Sequence, residues 1–366
     1  MNNIHIKSLN IETFRGIQNL KLDSFSGINI FTGDNNSGKT SVLELLDSLS
    51  APIELQTWLP HIRRTENGRG NITYYEGLRD LFSKANIRNS FINYAVVDSN
   101  DKTHEISISA QKVLGTVSIR NANRLSNIKF STDEKNIISN RLHLSFDYNH
   151  HENNNYKIYD FQDVLDSFFP KENTPCVCTP VVYVSPIAHG NNAVYLKEIL
   201  DSSELYPEML SVLQDFDESI ISINQYSSQS LANDYCGILS KKFKNALPLN
   251  MYGDGMKKAI LLMSAVVVAK NGILLIDEFE TAIHTSIMTK IYSWILKTCK
   301  KLGVQLFLTT HSKEALQKVL ALNSDPYLKD EITLYTLYKI DGKNLARRLS
   351  AERAIEADEN FGQELR

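Results

Sequence analysis

Cysteine is scarce in this sequence, with four residues among 366. So few cysteines cannot build the disulfide framework of a small secreted domain, and they are typical of a reduced, intracellular setting. Cys176 and Cys178 lie close together but lack the further Cys or His neighbours that a zinc site requires. We therefore interpret them as ordinary cysteines.

Long apolar runs are also missing. The longest are residues 259–269 and 272–276, which Lys270 and Asn271 separate. A membrane-spanning helix needs about 20 apolar residues, so neither run is a transmembrane candidate. The N-terminal residues are polar and lack the apolar core of a signal peptide. We therefore expect a cytoplasmic protein with no membrane partner.

Neither sign of charge dominates the chain, since 39 Lys and Arg are set against 42 Asp and Glu, for a formal net charge of −3. This balance excludes a surface that is basic throughout, so any DNA contact must come from a local patch or from a partner. The basic residues that could form a patch are Arg63, Arg64, Arg69, Lys84, Arg88 and the lysines within residues 241–244. Runs of like charge such as these are usually solvent-exposed faces without a bound partner.

A glycine-rich octapeptide near the N-terminus matches the P-loop pattern G-x-x-x-x-G-K-[ST] at every fixed position. It follows an apolar run and precedes a segment with helical spacing of apolar residues. The glycines let backbone N–H groups point at phosphate oxygens, while Lys39 supplies a cation and Thr40 a hydroxyl for Mg²⁺. The predicted nucleotide contacts are Gly33, Asn35, Asn36, Ser37, Gly38, Lys39, Thr40 and Ser41.

An apolar strand ends in two acids, Asp277 and Glu278. Adjacent carboxylates at the end of a buried strand are costly unless a cation or a reaction uses them. Asp277 suits Mg²⁺, and Glu278 can polarise the water that attacks a γ-phosphate. A strand followed by a helix-capping acid would give the same letters, but the upstream P-loop favours the catalytic interpretation.

Two further segments belong with these. The apolar strand before residue 310 delivers His311, which at a strand tip can reach a γ-phosphate and its attacking water. The turn formed by Gly253, Asp254 and Gly255 precedes a helix, and exposed glycines at a helix N-terminus form an anion site. Since one chain already has one phosphate loop, we predict that this second site reads the ATP of a partner subunit.

With all four segments in this order, the sequence resembles the ABC-type ATPases of the SMC, RecF and OLD group. It is most similar to single-chain AAA-family ATPases of bacterial antiphage defence, such as those of the PARIS, Septu and Gabija systems. The similarity covers the first fifty residues and residues 251–366. It implies an α/β P-loop NTPase head of ABC type with a mixed sheet, an inserted antiparallel β lobe and a helical segment. It also implies ATP and Mg²⁺ as cofactors and hydrolysis to ADP and phosphate.

The resemblance implies a role for each matching position. Lys39 and Thr40 would belong to the Walker A motif, and Asp277 and Glu278 to the Walker B motif with its catalytic glutamate. Residues 253–257 would form the signature motif and residues 280–284 the D-loop. His311 would be the switch histidine, and Arg15 would lie beside the nucleotide. Lys39, Glu278 and His311 would be catalytic, and Thr40 and Asp277 would hold the metal.

The chain also departs from that pattern. The signature of the family usually carries a serine where this sequence has Gly253. The long coiled-coil arms of SMC proteins and the Toprim nuclease segment of OLD and Gabija ATPases are absent, and no Q-loop glutamine is identified. We expect four segments: residues 1–57 and 246–366 as the two parts of the head, 58–158 as a β-rich lobe, and 159–245 as a helical dimerisation lobe.

Two functions remain open at this point. In the first, the chain is a sensor and scaffold in antiphage defence. It would work as a homodimer or higher homo-oligomer with ATP sandwiched between heads, and would control a separate nuclease, Toprim protein or toxin, triggered by DNA or a phage protein. In the second, it is a RecF-like DNA-repair ATPase that binds DNA ends. The slightly acidic balance favours the first, and the β lobe argues against a transporter subunit.

Overall fold

The computed structural model describes residues 3–62, 74–82, 90–118, 136–150, 153–162, 180–191, 195–226 and 235–361. The strands, in chain order, are β1 (Ile6–Phe14), β2 (Ile17–Leu22), β3 (Ile28–Gly33), β4 (Ser90–Asp98), β5 (Thr103–Ser118), β6 (Asn136–His150), β7 (Asn153–Gln162), β8 (Val181–Val184), β9 (Ile220–Tyr226), β10 (Tyr235–Ser240), β11 (Leu247–Pro248), β12 (Ile273–Ile276), β13 (Gln305–Thr309), β14 (Ile332–Ile340) and β15 (Lys343–Ser350). The α-helices are α1 (Lys39–Ser48), α2 (Leu55–Trp58), α3 (Tyr74–Arg79), α4 (Leu196–Leu200), α5 (Leu205–Gln214), α6 (Asp254–Val268), α7 (Thr285–Leu302), α8 (Lys313–Leu320) and α9 (Ala351–Phe361).

The main sheet has the strand order β15-β14-β3-β13-β12-β8. Its neighbours are parallel except for the β14–β15 pair, which is antiparallel. Ile28 and Ile30 of β3 pack into a core cluster with α6 and α7, whereas Phe31 packs into a second cluster with α1. Because both faces are covered, β3, β12 and β13 are buried along their whole length, as continuous apolar strands of a parallel sheet should be.

The order of the central strands decides where the polar residues meet. β3, β13 and β12 are adjacent and parallel, so their carboxyl ends share one edge of the sheet. The P-loop leaves β3 at this edge, Asp277 follows β12, and His311 follows β13. In open α/β sheets this edge is where ligands bind. The order and the parallel direction of these strands therefore bring together three segments that are distant in sequence.

The second sheet is antiparallel, with the order β2-β1-β4-β5-β6-β7. It confirms the predicted α/β architecture of a mixed sheet with an antiparallel β lobe. Its inner face packs on α1 through a cluster that includes Phe14, Trp58 and Leu144. β1 and β2 come from the segment before residue 58, yet β1 pairs with β4 from the following segment. The predicted boundary at residues 57 and 58 therefore does not separate the two sheets.

Within residues 159–245, the part that the structure describes combines short helices with strands. The sequence predicts a helix over 161–169, but β7 extends to Gln162, and residues 163–169 lie outside the described residues. The sequence also predicts helix over 193–220 with a break near residues 206 and 207; the described part has two helices, α4 and α5, but the break lies between Leu200 and Leu205. β8 joins the main sheet, and β9, β10 and β11 form a small third sheet that the sequence did not indicate. The division into four segments stays a prediction.

The structure also bears on membrane association. Within the described part of the chain, no helix combines the length and apolar character that a membrane span requires.

Candidate functional site

The P-loop between β3 and α1 owes its shape to its two fixed glycines. Gly33 and Gly38 have φ angles of 136° and 106°, a region that favours glycine. A Cβ on Gly33 would lie 2.0 Å from the carbonyl oxygen of Leu337, and one on Gly38 would lie 2.8 Å from Cδ1 of Ile17. The Leu337 backbone excludes a side chain at Gly33, and the φ angle disfavours one at Gly38, so glycine at both positions permits the bend that a phosphate cradle requires.

Lys39, the first residue of α1, is held inside this loop. Its Nζ donates to the carbonyl oxygens of Gly33 at 2.7 Å and of Asp34 at 2.9 Å, and its side chain is buried. Burial lowers the pKa of Lys39, while nearby carboxylates, that of Asp277 foremost, act in the opposite direction. Acidic groups around the loop therefore keep a cation stable at the place where phosphate charge would arrive.

Thr40 and Asp277 form an oxygen-lined pair across the gap between α1 and β12. The Thr40 hydroxyl donates to Oδ1 of Asp277 at 3.3 Å. The buried Asp277 carboxylate also accepts from the hydroxyls of Thr309, at 2.5 Å, and Tyr183, at 3.2 Å. Burial, followed by the charge of Asp277, raises the pKa of Tyr183, so this phenol remains a neutral donor.

These oxygens fit Mg²⁺, which prefers hard oxygen ligands and keeps several waters while it binds phosphates. Mg²⁺ at such a site needs only one or two protein groups. Accordingly, the described residues contain no cluster of three or more His, Cys, Asp or Glu side chains that could hold a metal by themselves. Thr40 and Asp277 are the groups available for a shared, phosphate-dependent metal.

Glu278 follows Asp277 in a strained backbone conformation, with a φ of 46°. Such a conformation costs about 1–3 kcal/mol for a residue other than glycine and persists only where surrounding contacts enforce it. Here the Glu278 N–H donates to Oγ1 of Thr309 at 2.8 Å. The carboxylate of Glu278 is only partly exposed and accepts from the Thr281 hydroxyl at 3.4 Å.

His311 is tied to the turn after Glu278 through its backbone. Oε1 of Glu280 accepts from the N–H groups of His311, at 3.0 Å, and Ser312, at 3.2 Å. His311 also borders a cavity of about 550 Å³ over the P-loop. The residues that line this cavity are Arg15, Gly16, Ile17, Asn35, Asn36, Gly38, Lys39, Thr40, Ser41, His311 and Lys339.

Most of the predicted nucleotide contacts are therefore brought together. Ser37 is buried below the cavity and helps to shape the loop, since its N–H donates to the carbonyl of Asp34 at 3.2 Å. Arg15 borders the cavity, but its guanidinium is already engaged, by Glu44 at 3.0 Å and by the His61 carbonyl at 2.6 Å. The charge of Arg15 is thus paired within the protein.

The signature turn lies elsewhere. Gly253 caps the N-terminus of α6 and is exposed, and a Cβ there would meet no atom within 4 Å. Asp254 is exposed and pairs with Lys257 at 3.0 Å, and a Cβ on Gly255 would lie 3.0 Å from the carbonyl of Ala282. Among the described residues that line the P-loop cavity, none comes from this turn. Within one chain, the turn at residues 253–255 therefore does not border the cavity over the P-loop.

Four residues in or near the candidate site were not recognised in the sequence: Tyr183, Thr309, Lys339 and the buried Lys258. Tyr183 and Thr309 sit in predicted strands, and only the order of the strands reveals that their hydroxyls meet Asp277. Lys258 in α6 is fully buried, with its Nζ 3.4 Å from the Pro186 carbonyl. Burial lowers its pKa to about 8, although the nearby carboxylates of Asp277, Glu280 and Glu278 oppose that shift.

Comparison with known proteins matches residues 28–316 to the family described as "AAA domain, putative AbiEii toxin, Type IV TA system". The chain belongs to this family. The match spans the P-loop, the turn at residues 253–255, both strand-end acids and His311, and it makes the chain a nucleoside triphosphatase of the AAA type. The expectation of a defence subtype goes beyond what this match covers.

Individual relatives were also found. The chain is 27% identical over 335 residues to an ATP/GTP phosphatase of Helicobacter pylori, which covers 85% of this chain and 86% of the relative. It is 35% identical over 116 residues to an uncharacterised protein of Methanocaldococcus jannaschii, covering 31% of this chain and 98% of the relative.

Among solved structures, an Smc head domain with an extended coiled coil, bound to the C-terminal domain of ScpA from Pyrococcus furiosus, aligns with a TM-score of 0.49. The alignment has 12% identity and covers 98% of this chain and 100% of the Smc head chain. Identity this low says nothing about what the chain binds.

Proposed function

We propose that the chain hydrolyses ATP with Mg²⁺ at the P-loop and that this cycle controls a separate nuclease or toxin in antiphage defence. The observation that carries the hydrolysis is the convergence of Lys39, Thr40, Asp277, Glu278 and His311 on one edge of the sheet. These side chains supply a cation, two oxygen ligands, a base and a further polar group within one region. Phosphoryl transfer depends on that combination of positioning and charge.

The proposed roles follow from the contacts of each residue. Lys39 exchanges its bonds to the loop carbonyls for the β- and γ-phosphate oxygens. Thr40 and Asp277 would hold Mg²⁺, which offsets phosphate charge when it is bound. Glu278 orients the attacking water and accepts its proton. His311 donates to the γ-phosphate from the far side of the cavity.

The choice of nucleotide is part of the proposal. The Helicobacter pylori relative is named an ATP/GTP phosphatase, which supports hydrolysis but leaves the base open. We propose ATP, and parallel assays with ATP and GTP, each with Mg²⁺ or with EDTA, test this. Faster turnover of GTP than of ATP would overturn the choice of base, and equal activity in EDTA would overturn the role of Mg²⁺.

The control of a separate effector is supported by the family description, which names a toxin system. Among the basic candidates for direct DNA binding that the structure describes, Lys242 is paired with Asp217 at 2.8 Å, whereas Lys241 and Lys244 are exposed. Arg63, Arg64, Arg69, Lys84 and Arg88 lie outside the described residues.

Co-expression with the product of the adjacent gene tests the effector role. We expect the ATPase to suppress or trigger the toxicity or nuclease activity of that product in a way that the Lys39→Ala variant does not. An effector that behaves identically with both forms, together with DNA-stimulated ATPase activity of the chain alone, would favour a DNA-repair clamp instead.

We further propose that the active form is a homodimer in which each signature turn faces the ATP of the other subunit. A two-fold axis would give two equivalent sites, with Gly253 and Gly255 presenting the N-terminus of α6 to the γ-phosphate. The exposure of Gly253, together with the absence of the signature turn from the cavity of its own chain, supports this arrangement.

A further inference from the structure

Glu280 makes contacts that the proposed mechanism does not use. Its Oε1 accepts from the backbone N–H groups of His311, at 3.0 Å, and Ser312, at 3.2 Å. Ser312 is the N-cap of α8, where its hydroxyl accepts from the Ala315 N–H at 3.2 Å. Glu280 therefore fixes the backbone at the point where the chain leaves β13, and this is the point from which the His311 side chain enters the cavity.

The carboxylate of Glu280 is not an incidental surface contact. Its second oxygen, Oε2, is buried and has no hydrogen-bond partner in the described part of the chain. Leaving an acceptor of a charged group unmatched inside the protein opposes folding. The hydrogen bonds of the Glu280 side chain are therefore concentrated on Oε1, which accepts from the N–H groups of His311 and Ser312.

The neighbouring contacts restrict how this turn can move. The N–H of Phe279 donates to the carbonyl of Thr309 at 3.1 Å, and the hydroxyl of Tyr292 donates to the carbonyl of Phe279. Glu280 is thus attached to β13 on one side and to α7 on the other. Because the backbone beside it is fixed, the length of the Glu280 side chain sets the distance between the turn after Glu278 and the backbone of His311.

We propose that Glu280 is the positioning residue for His311, placing its imidazole toward the γ-phosphate and the attacking water. This inference rests on the proposed function of the P-loop site. Glu280 is not among the residues that line the cavity, and in this proposal it acts only through the backbone N–H groups that it holds. The required property is an acceptor oxygen at the reach of a glutamate, and the negative charge is secondary.

Three substitutions separate these properties. Glu280→Gln keeps the reach and an acceptor oxygen but removes the charge, Glu280→Asp keeps the charge but shortens the reach, and Glu280→Ala removes both. Glu314→Ala, which truncates an exposed glutamate in the first turn of α8, is the matched control. Steady-state hydrolysis of Mg²⁺·ATP is measured for each, together with its melting temperature.

We expect Glu280→Asp and Glu280→Ala to lower kcat about 10- to 100-fold, because a displacement of about 1 Å in a catalytic group has effects of this size. KM should stay within about threefold of the parent, since His311 would act on the reacting phosphate rather than on binding. Glu280→Gln and Glu314→Ala should retain kcat. A parental kcat in Glu280→Asp and Glu280→Ala, or equal loss in Glu280→Gln and Glu280→Ala, would overturn the proposal.

A spectroscopic readout makes the result independent of turnover. Histidine-selective ¹³C labelling gives signals for nine residues, and comparison with His311→Ala assigns that of His311. Addition of Mg²⁺·ATPγS should shift this signal in the parent and in Glu280→Gln, and the shift should be lost in Glu280→Asp. An identical shift in all three would overturn the inference. A parent that binds the nucleotide but hydrolyses none would instead contradict the proposed function and leave this measurement valid.

Discussion

The P-loop and the signature turn, which we propose as a second phosphate-binding motif, have opposite structural character. The P-loop is enclosed by its own chain, since Lys39 is buried and bonded to loop carbonyls, and a Cβ on Gly33 would collide with Leu337. The signature turn is open, and a Cβ on Gly253 would meet nothing. The first is organised before a ligand arrives, whereas the second is open, as the contact proposed with a partner subunit requires.

Because of this difference, substitutions in the two regions should have different effects. A change in the P-loop alters groups that other parts of the same chain already hold, so the effect should appear in the isolated subunit. A change in the signature turn should leave the isolated subunit intact and alter only what two subunits do together. The following experiments test that contrast, beginning with the largest expected effect.

Lys39→Ala should abolish turnover, with at least a 100-fold loss, because it removes the cation that faces the phosphates. Nucleotide binding and hydrolysis are measured by calorimetry and phosphate release. Lys270→Ala, which removes an exposed lysine that lies just after α6, is the control and should behave as the parent. Parental turnover in Lys39→Ala would mean that the P-loop is not the site of hydrolysis.

Glu278→Gln should keep ATP binding but lower kcat by about 100-fold or more, since the amide preserves shape and cannot accept a proton. The backbone strain at this position is unchanged by the substitution, so stability should remain near that of the parent. An ATP-bound dimer should accumulate and be visible by sedimentation velocity. Unchanged turnover would remove Glu278 from the catalytic role.

Mixing two inactive variants tests whether the signature acts in trans. Gly253→Asp adds charge at an open position, whereas at Gly255 a side chain would also press on Ala282. Random exchange between Lys39→Ala and Gly253→Asp subunits makes half of the dimers mixed, and one of the two sites in each mixed dimer is intact. Equal mixing should therefore restore about one quarter of the parental activity.

Gly253→Ala, which adds a methyl group without charge, is the control for bulk alone and should remain active. Full subunit exchange with no recovery of activity would contradict the two-fold arrangement. It would favour a site completed within one chain or by a different protein.

The sequence predicted the P-loop side of this comparison in more detail than the rest. Fixed spacing carries the chemistry from Gly33 to Thr40, and apolar runs mark β3, β12 and β13, so the converging edge could be inferred. Tyr183 and Thr309 could not, because a hydroxyl in an apolar strand has no motif and gains its role only from the neighbouring strand.

Regions without strong periodicity were predicted less well. The short strands β9–β11 alternate too little to be distinguished from loops, and α9 follows β15 without a break that the sequence made evident. α9 is held by tertiary packing, since Ala351 and Ala354 are buried in the core cluster that contains residues of α6 and α7. Packing of this kind outweighs local propensity in a short amphipathic helix.

Lys258 links the two regions, because it lies on the signature helix and near the acids of the P-loop site. Its pKa is about 8 in the folded chain against 10.5 as an ordinary lysine. Between these values the unfolded chain binds a proton that the folded chain does not, so the free energy of unfolding should rise with pH across this window. The rise amounts to about 3 kcal/mol at most.

Lys258→Met should lose this rise, whereas Lys257→Met, which alters the adjacent and partly exposed lysine, should keep it. Urea unfolding at intervals from pH 8 to 10.5 measures the difference between the variants. Differences between profiles are compared because buried tyrosines and cysteines also titrate at high pH. Parallel profiles for the parent and Lys258→Met would show that Lys258 carries its charge in the folded chain at no cost.

The smallest expected effect concerns Gly253, where the ABC-type ATPases that the sequence resembles usually carry a serine. Gly253→Ser restores the usual hydroxyl at an exposed N-cap where the structure has room for it. Each of the two sites in the dimer gains one hydrogen bond to the γ-phosphate of the partner, worth about 0.5–1.5 kcal/mol, so ATP-dependent dimerisation should tighten about two- to tenfold for each site. Sedimentation equilibrium in the Glu278→Gln background measures it, with Gly253→Ala as the reference. Because serine also caps helices well, stability in the absence of nucleotide must be compared. Tighter dimerisation only with ATP supports a phosphate contact in trans, whereas equal gains with and without ATP would reduce Gly253 to a helix cap.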